Sequence, residues 1–165
     1  MIMLTLPETG QFMKELLTED VFDKFYLYEG EVTTFARFRV DGSICGAFFD
    51  DEERKSIGDR QLALWGEVKP YIFRVMQGKK LPVEFSFILQ LSRENTEWLL
   101  EKNGLGHLRE AVTGFNINLR YREGRLYAVS GVSYSSFVPG KTAEQMWDAT
   151  LKQYLSQNGI VYTEE

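Results

Sequence analysis

The chain holds one cysteine, Cys45, and one histidine, His107, in 165 residues. A lone cysteine closes no internal disulfide, and the two residues together fall short of the ligand set of a structural zinc or iron–sulfur site, so those classes are excluded. Four prolines and 14 glycines are dispersed without a Ser/Gly/Pro-rich tract, and no segment recurs at a fixed period. Nothing therefore reads as a linker or a repeat. No apolar run approaches the ~20 residues that span a bilayer. The opening MIMLTLPETG lacks the basic and long apolar segments of a secretion signal, which makes a cytoplasmic location without a membrane partner the expectation. The serine-hydrolase, zinc-protease and dinucleotide-binding motifs are also absent.

What remains is a core-rich, mildly acidic chain. Nineteen Lys+Arg against 24 Asp+Glu give a net charge of −5, which argues against nucleic acid, whose recognition needs a basic footprint. Apolar residues make up 44% and aromatics 14%, too many for intrinsic disorder. A chain of this length hides roughly 70% of its unfolded surface on folding, enough for a core without disulfides or metals. One globular domain over residues 1–165 is the expected organisation.

The hydrophobic period alternates between helix and strand along the chain. Residues 1–6 read as a short strand. Phe12, Met13, Leu16, Leu17, Val21, Phe22 and Phe25 recur at helical spacing over 9–25, with a break near Thr18. Residues 26–40 switch to period two, with Tyr26, Tyr28, Val32, Ala36, Phe38 and Val40 on one face and Glu29, Glu31, Arg37 and Arg39 on the other. Asp41-Gly42 then suggests a tight turn pairing 35–40 with 43–48 in a hairpin, which places Cys45 in a strand. The acidic run Asp50–Glu53 suits a helix start. Leu62, Trp65, Val68, Ile72 and Met76 predict a helix over 59–77, kinked or split near Glu67 by Pro70.

Farther on, Val83, Phe85, Phe87, Leu89 and Leu91 alternate with Glu84, Ser86, Ile88 and Gln90 in a strand over 82–91. Ser92 caps a short helix closed by Asn103-Gly104. Phe115, Ile117, Leu119 and Tyr121 alternate with Asn116, Asn118, Arg120 and Arg122, and Glu123-Gly124 turns the chain into a partner strand from Arg125 to Val138. A two-residue loop predicts the pairs Tyr121 with Leu126, Leu119 with Ala128 and Ile117 with Ser130. Thr142 with Gln145 predicts a capping box opening a helix that stops at Asn158-Gly159, and 160–162 an edge strand. The sum is an α+β domain, an antiparallel or mixed sheet of hairpins with amphipathic helices on one face.

Ser135-Ser136-Phe137-Val138-Pro139-Gly140-Lys141-Thr142 ends like a phosphate-binding loop. Serine replaces its first glycine, however, and Pro139 offers no N–H, so a turn followed by a cap is the expectation. Cys45 with His107 is the minimum for thiol chemistry, but a cysteine in a strand is commonly buried and inert. The acidic run lacks the spacing of a calcium loop. Two features remain. The polar face of the second hairpin presents Asn116, Asn118, Arg120, Arg122 and Tyr127, amides, guanidinium groups and an aromatic suited to an anion or a stacked ring. The surplus of aromatics, with Tyr127 and Tyr162 pointing outward, predicts self-association as a homodimer.

In Phe12–Leu17, Val21–Phe25, Thr33-Thr34-Phe35 with Asp41-Gly42, Gly114-Phe115 and Gln145-Met146-Trp147-Asp148, the chain resembles a family of bacterial proteins catalogued as a domain of unknown function. That resemblance implies a stand-alone domain from a bacterial cytoplasm and brings no ligand, cofactor or activity. The leading functional expectation is a non-catalytic binding or interaction domain that uses an exposed sheet face and no cofactor. The alternative is an enzyme with a carboxylate/arginine site that matches no motif.

Overall fold

The computed structural model describes residues 1–165. Seven strands form one antiparallel sheet: β1 (Met3–Thr5), β2 (Tyr26–Thr33), β3 (Arg37–Asp41), β4 (Glu84–Gln90), β5 (Val112–Arg122), β6 (Arg125–Tyr134) and β7 (Thr163–Glu164). Their spatial order is β3-β2-β4-β5-β6-β1-β7. Five helices accompany them: α1 (Thr9–Leu17), α2 (Asp51–Ile57), α3 (Trp65–Met76), α4 (Arg93–Lys102) and α5 (Thr142–Gln157). The class is α+β with an antiparallel sheet.

Alternation divides the sheet into two unlike faces. Leu4, Leu27, Val32, Phe85, Phe87, Leu89, Phe115, Ile117, Leu119, Leu126 and Ala128 are buried on one face, and α1, α3, α4 and α5 add Phe12, Leu16, Trp65, Ile72, Leu100, Trp147, Leu151 and Leu155 to the same core. Trp65 donates its indole N–H to the Leu16 carbonyl at 2.8 Å, which fixes α3 against α1. Trp147 stacks on Phe115 at 5.2 Å and donates to the Asn116 carbonyl, which fixes α5 on β5. The second anchor of α5 is polar. The buried Ser130 hydroxyl on β6 accepts from the Ile2 N–H at 2.9 Å and donates to Asp148 Oδ1.

The β5–β6 hairpin has the register that alternation predicts, with Tyr121 opposite Leu126, Leu119 opposite Ala128 and Ile117 opposite Ser130. Its turn has φ of 53° at Glu123 and 75° at Gly124, the two positive values of a type I′ hairpin. Ser92 caps α4 by accepting from the Asn95 N–H. Asp50 and Glu53 form a reciprocal capping box on α2. The 9–25 periodicity does break near Thr18, the residue that ends α1.

The first hairpin differs from its expectation. Phe35–Val40 does not pair with 43–48; β3 pairs backward with β2, Val32 opposite Phe38 and Glu31 opposite Arg39. Asp41 accepts from the Ser43 N–H at 2.7 Å in a local turn; the Ser43 side chain first, and that N–H second, hold the Asp41 carboxyl below its usual pKa. Gly42 stands where a Cβ would lie 1.7 Å from the Leu27 carbonyl oxygen, so the glycine serves a close backbone crossing. A bulge at Tyr28 reverses the parity of β2, so that Leu27 and Gly30, in place of Tyr26 and Tyr28, share the core face with Val32. Cys45 is exposed, at the start of a 3-10 turn (Gly46–Phe48), and is neither in a strand nor buried.

The helix expected over 59–77 starts only at Trp65 and runs through Pro70 without ending. Leu62 and Leu64 make isolated bridges to Ser43 and Tyr26 in extended conformation. The first N–H groups of α3 go to the Phe25 and Asp23 carbonyls, satisfying donors that a helix start leaves open. Thr142 is the first helical residue of α5 and makes no cap; Lys141 holds the N-cap position without a side-chain bond. The terminal edge strand lies at Thr163–Glu164, and Tyr162 packs against the core instead of pointing outward.

Candidate functional site

The face of the sheet without helices carries the polar half of every alternation. Five arginines stand on it, Arg37, Arg39, Arg120, Arg122 and Arg125, half of the ten in the chain, and no strand contains a lysine. Antiparallel register aligns them in two rows: Arg39, Glu31, Ser86, Arg120 and Tyr127 in one, and Arg37, Thr33, Glu84, Arg122 and Arg125 in the next. A guanidinium fork fits carboxylate and phosphate oxygens in pairs and stacks on flat rings, which an ammonium group does not do.

The charges on the β3 side are neutralised. Glu31 takes Arg39 at 2.8 Å and Arg37 at 3.2 Å. Glu84 stands 4.0 Å from Arg37 and 3.9 Å from Arg122. On the β5–β6 side the balance reverses. Arg120 and Arg125 have no carboxylate in ion-pair range, Arg122 lies directly opposite Arg125, and Tyr127 sits opposite Arg120. The Tyr127 hydroxyl beside Arg125 holds that guanidinium above its usual pKa. Like charges opposite each other on neighbouring strands cost stability, so this cluster is not explained by folding.

A recess of about 420 Å³ opens at this cluster, lined among others by Glu31, Glu84, Ser86, Arg120, Arg122 and Tyr127. Asn118 stands two residues before Arg120 on β5, on the same face. The hydrogen-bond network sets its amide oxygen toward Arg120, accepting from Nη2 at 3.0 Å and Nε at 3.3 Å. That contact fixes the guanidinium plane and leaves the remaining Arg120 donors unpaired. Asn116 is one step farther along β5 and is absorbed into the sheet: it accepts from Gln90 at 3.1 Å and donates to Ser133 at 2.8 Å.

Of the five residues singled out on this hairpin, Arg120, Arg122 and Tyr127 therefore meet at the recess, Asn118 orients Arg120, and Asn116 serves the sheet. Glu31, Glu84 and Ser86 complete the wall. They come from β2 and β4, and their outward parity on β4 is visible in the alternation, but the adjacency of β4 to β5 is a fact of topology. Cys45 and His107 lie on separate connections and line none of the cavities described here. No group of three or more His, Cys, Asp or Glu side chains converges as a metal site does.

A larger concavity, about 510 Å³, opens on the helical side between the 18–25 connection, α4 and α5. Four of its lining side chains are used internally. Trp147 donates to Asn116, the Tyr154 hydroxyl to the Val21 carbonyl, Thr150 to the Met146 carbonyl, and the Asn158 amide to the Tyr154 carbonyl. Burial, with the Asp20 carboxylate nearby, pushes the Tyr154 phenol up and keeps it a donor. This is a seam of the core, in contrast to the open-face recess with its unpaired guanidinium donors.

Comparison with curated proteins and with solved structures gives no match. The model of a family of unknown function (DUF5721) matches residues 15–163. This span takes in most of the segments that carry the resemblance, and two of them meet in the fold, Gly114-Phe115 under Trp147 of Gln145–Asp148. The chain belongs to that family of unknown function, DUF5721.

Proposed function

We propose that this chain is a non-catalytic binding domain whose open sheet face takes an anionic ligand, a carboxylate or phosphate carried on a flat or compact body. The observation that carries the reading is the crowding of Arg120, Arg122 and Arg125 around Tyr127 with one carboxylate, Glu84, within 4 Å of any of them. Repulsion of this kind is tolerated where a ligand's charge relieves it. Asn118 pre-sets the plane of Arg120, and the Tyr127 ring offers a surface for stacking. The carboxylates that reach the recess are engaged by arginines, which supports binding over the alternative of carboxylate chemistry.

Calorimetry with inorganic phosphate, citrate and AMP tests this. At least one is expected to bind with single-site stoichiometry, and Arg120→Ala and Tyr127→Ala each to weaken that binding tenfold or more, with melting temperatures unchanged. Absence of binding by all three, or wild-type affinity in Arg120→Ala, overturns it.

A further inference from the structure

One end of the molecule departs from the acidic character of the rest. Residues 32–40 and 68–83 contain no Asp or Glu, twenty-five residues in which the chain's average places three or four, and they contain six Lys and Arg. The fold brings the two stretches together. The Val83 N–H donates to the Thr33 carbonyl at 2.9 Å, and a shallow depression of about 660 Å³ is lined by Phe35 and Phe38 from the β2–β3 hairpin and by Arg74, Lys79 and Lys80 from α3 and the connection after it. Lys79 and Lys80 have no ion-pair partner.

The same end exposes apolar side chains. Phe35, at the hairpin tip, is 94% exposed and meets Phe38 edge-on at 5.8 Å; Leu81, next to Lys80, is 81% exposed, and Val83 65%. Single exposed apolar residues are ordinary. Here three project from two adjoining loops; Glu84, the residue after Val83, faces Arg37 at 4.0 Å, and Phe35 and Leu81 stand beside the unpaired Lys79, Lys80 and Arg74.

We infer that this tip docks on the surface of an anionic lipid bilayer, with Phe35 and Leu81 entering the headgroup boundary and Lys79, Lys80 and Arg74 against lipid phosphates. Exposed apolar side chains flanked by Lys and Arg are what interfacial binding requires, without any spanning segment. No helix of the chain is long and apolar enough to cross a membrane, and docking needs none. The contrast with the open sheet face supports this choice of partner. Cations there are all arginine, suited to a defined carboxylate or phosphate; at the tip lysines join them, point charges suited to a diffuse field, and lysine is depleted from the cores of protein interfaces.

Flotation with vesicles of neutral phosphatidylcholine and with vesicles containing one third phosphatidylglycerol tests it. The protein is expected to float with the anionic vesicles and not the neutral ones, and to be released at high salt. Lys79→Gln with Lys80→Gln lowers partition about 25-fold, roughly fivefold per cation. Phe35→Ser with Leu81→Ser lowers it at least tenfold through lost apolar burial, and both double variants keep the wild-type melting temperature because the side chains are exposed. Arg120→Ala leaves flotation unchanged, which separates this surface from the recess. Equal partition into both vesicle types, no flotation, or wild-type flotation of Phe35→Ser with Leu81→Ser overturns the inference. So does tighter binding to a DNA duplex that survives the same apolar substitutions, since that marks the lysines as a phosphate-backbone patch.

Discussion

The two faces of the sheet solve opposite problems. The covered face joins all but one helix to the strands in a core of 28 buried residues, and its polar members are paired, Ser130 with Asp148 and Ile2 among them. The open face carries no helix and gathers half the chain's arginines, two of them directly opposite each other. One face is arranged for stability and the other is not, so mutations along a single strand probe the two faces separately. The binding proposal rests on this difference, because charges that folding alone would disperse are found concentrated on the open face.

Strand β4 gives the largest test. Phe87 is fully buried, 5.0 Å from Trp65 and 5.2 Å from Phe85 by ring centroids, while its neighbour Ile88 faces outward and is half-buried. Phe87→Ala is expected to cost about 3–5 kcal/mol by removing a core ring. Ile88→Ala should cost under about 1.5 kcal/mol, having little buried volume to lose. Thermal unfolding followed by circular dichroism measures both. Comparable losses would show that the open face is covered in solution.

The same division explains what the sequence reveals. In the β5–β6 hairpin every second residue is apolar from Phe115 to Tyr121, and Gly124 supplies one of the two positive-φ positions of the turn while Glu123 takes the other, so register and face follow from local pattern. In β2 the pattern misleads twice. The bulge at Tyr28 shifts parity by one residue, and the core-facing position opposite Phe87 is Gly30, where a Cβ would come within 2.8 Å of the Phe87 ring. A glycine that makes room for a partner ring carries no hydrophobic signal. Leu62 misleads likewise: it fits a helical stripe but lies in an extended segment whose partner, Ser43, is distant in sequence. The recess was half legible for the same reason. Arg120, Arg122 and Tyr127 share one hairpin, but Glu31 and Glu84 arrive through long-range pairing.

The polar anchor of α5 comes next in size. Asp148 is 16% exposed and receives the Ser130 hydroxyl, whose own exposure is 1%. Asp148→Ala leaves that hydroxyl buried with its donor unmade, at a cost of about 1–3 kcal/mol. Asp148→Ala combined with Ser130→Ala should recover part of the loss, because the orphaned donor is removed with its partner. A full double-mutant cycle in denaturant checks the coupling, and additive losses would mean that Ser130 and Asp148 act independently.

The smallest effect has the opposite sign and bears most directly on the open face. Arg122 and Arg125 sit across from each other beside the turn, and like charges so placed destabilise a strand pair by roughly 0.2–1 kcal/mol. Against this, Arg122 has Glu84 at 3.9 Å, with the arginine side chain 75% exposed, a contact worth close to nothing in water. Repulsion therefore wins, and Arg122→Gln is expected to raise the melting temperature by about 1 °C at low ionic strength, with the gain fading as salt screens the pair. The same substitution should weaken any anion bound at the recess, so stability and affinity move in opposite directions at one residue. A loss of stability of 1 kcal/mol or more in Arg122→Gln would mean that the arginines are held there for folding, and the contrast between the two faces would no longer point to a ligand.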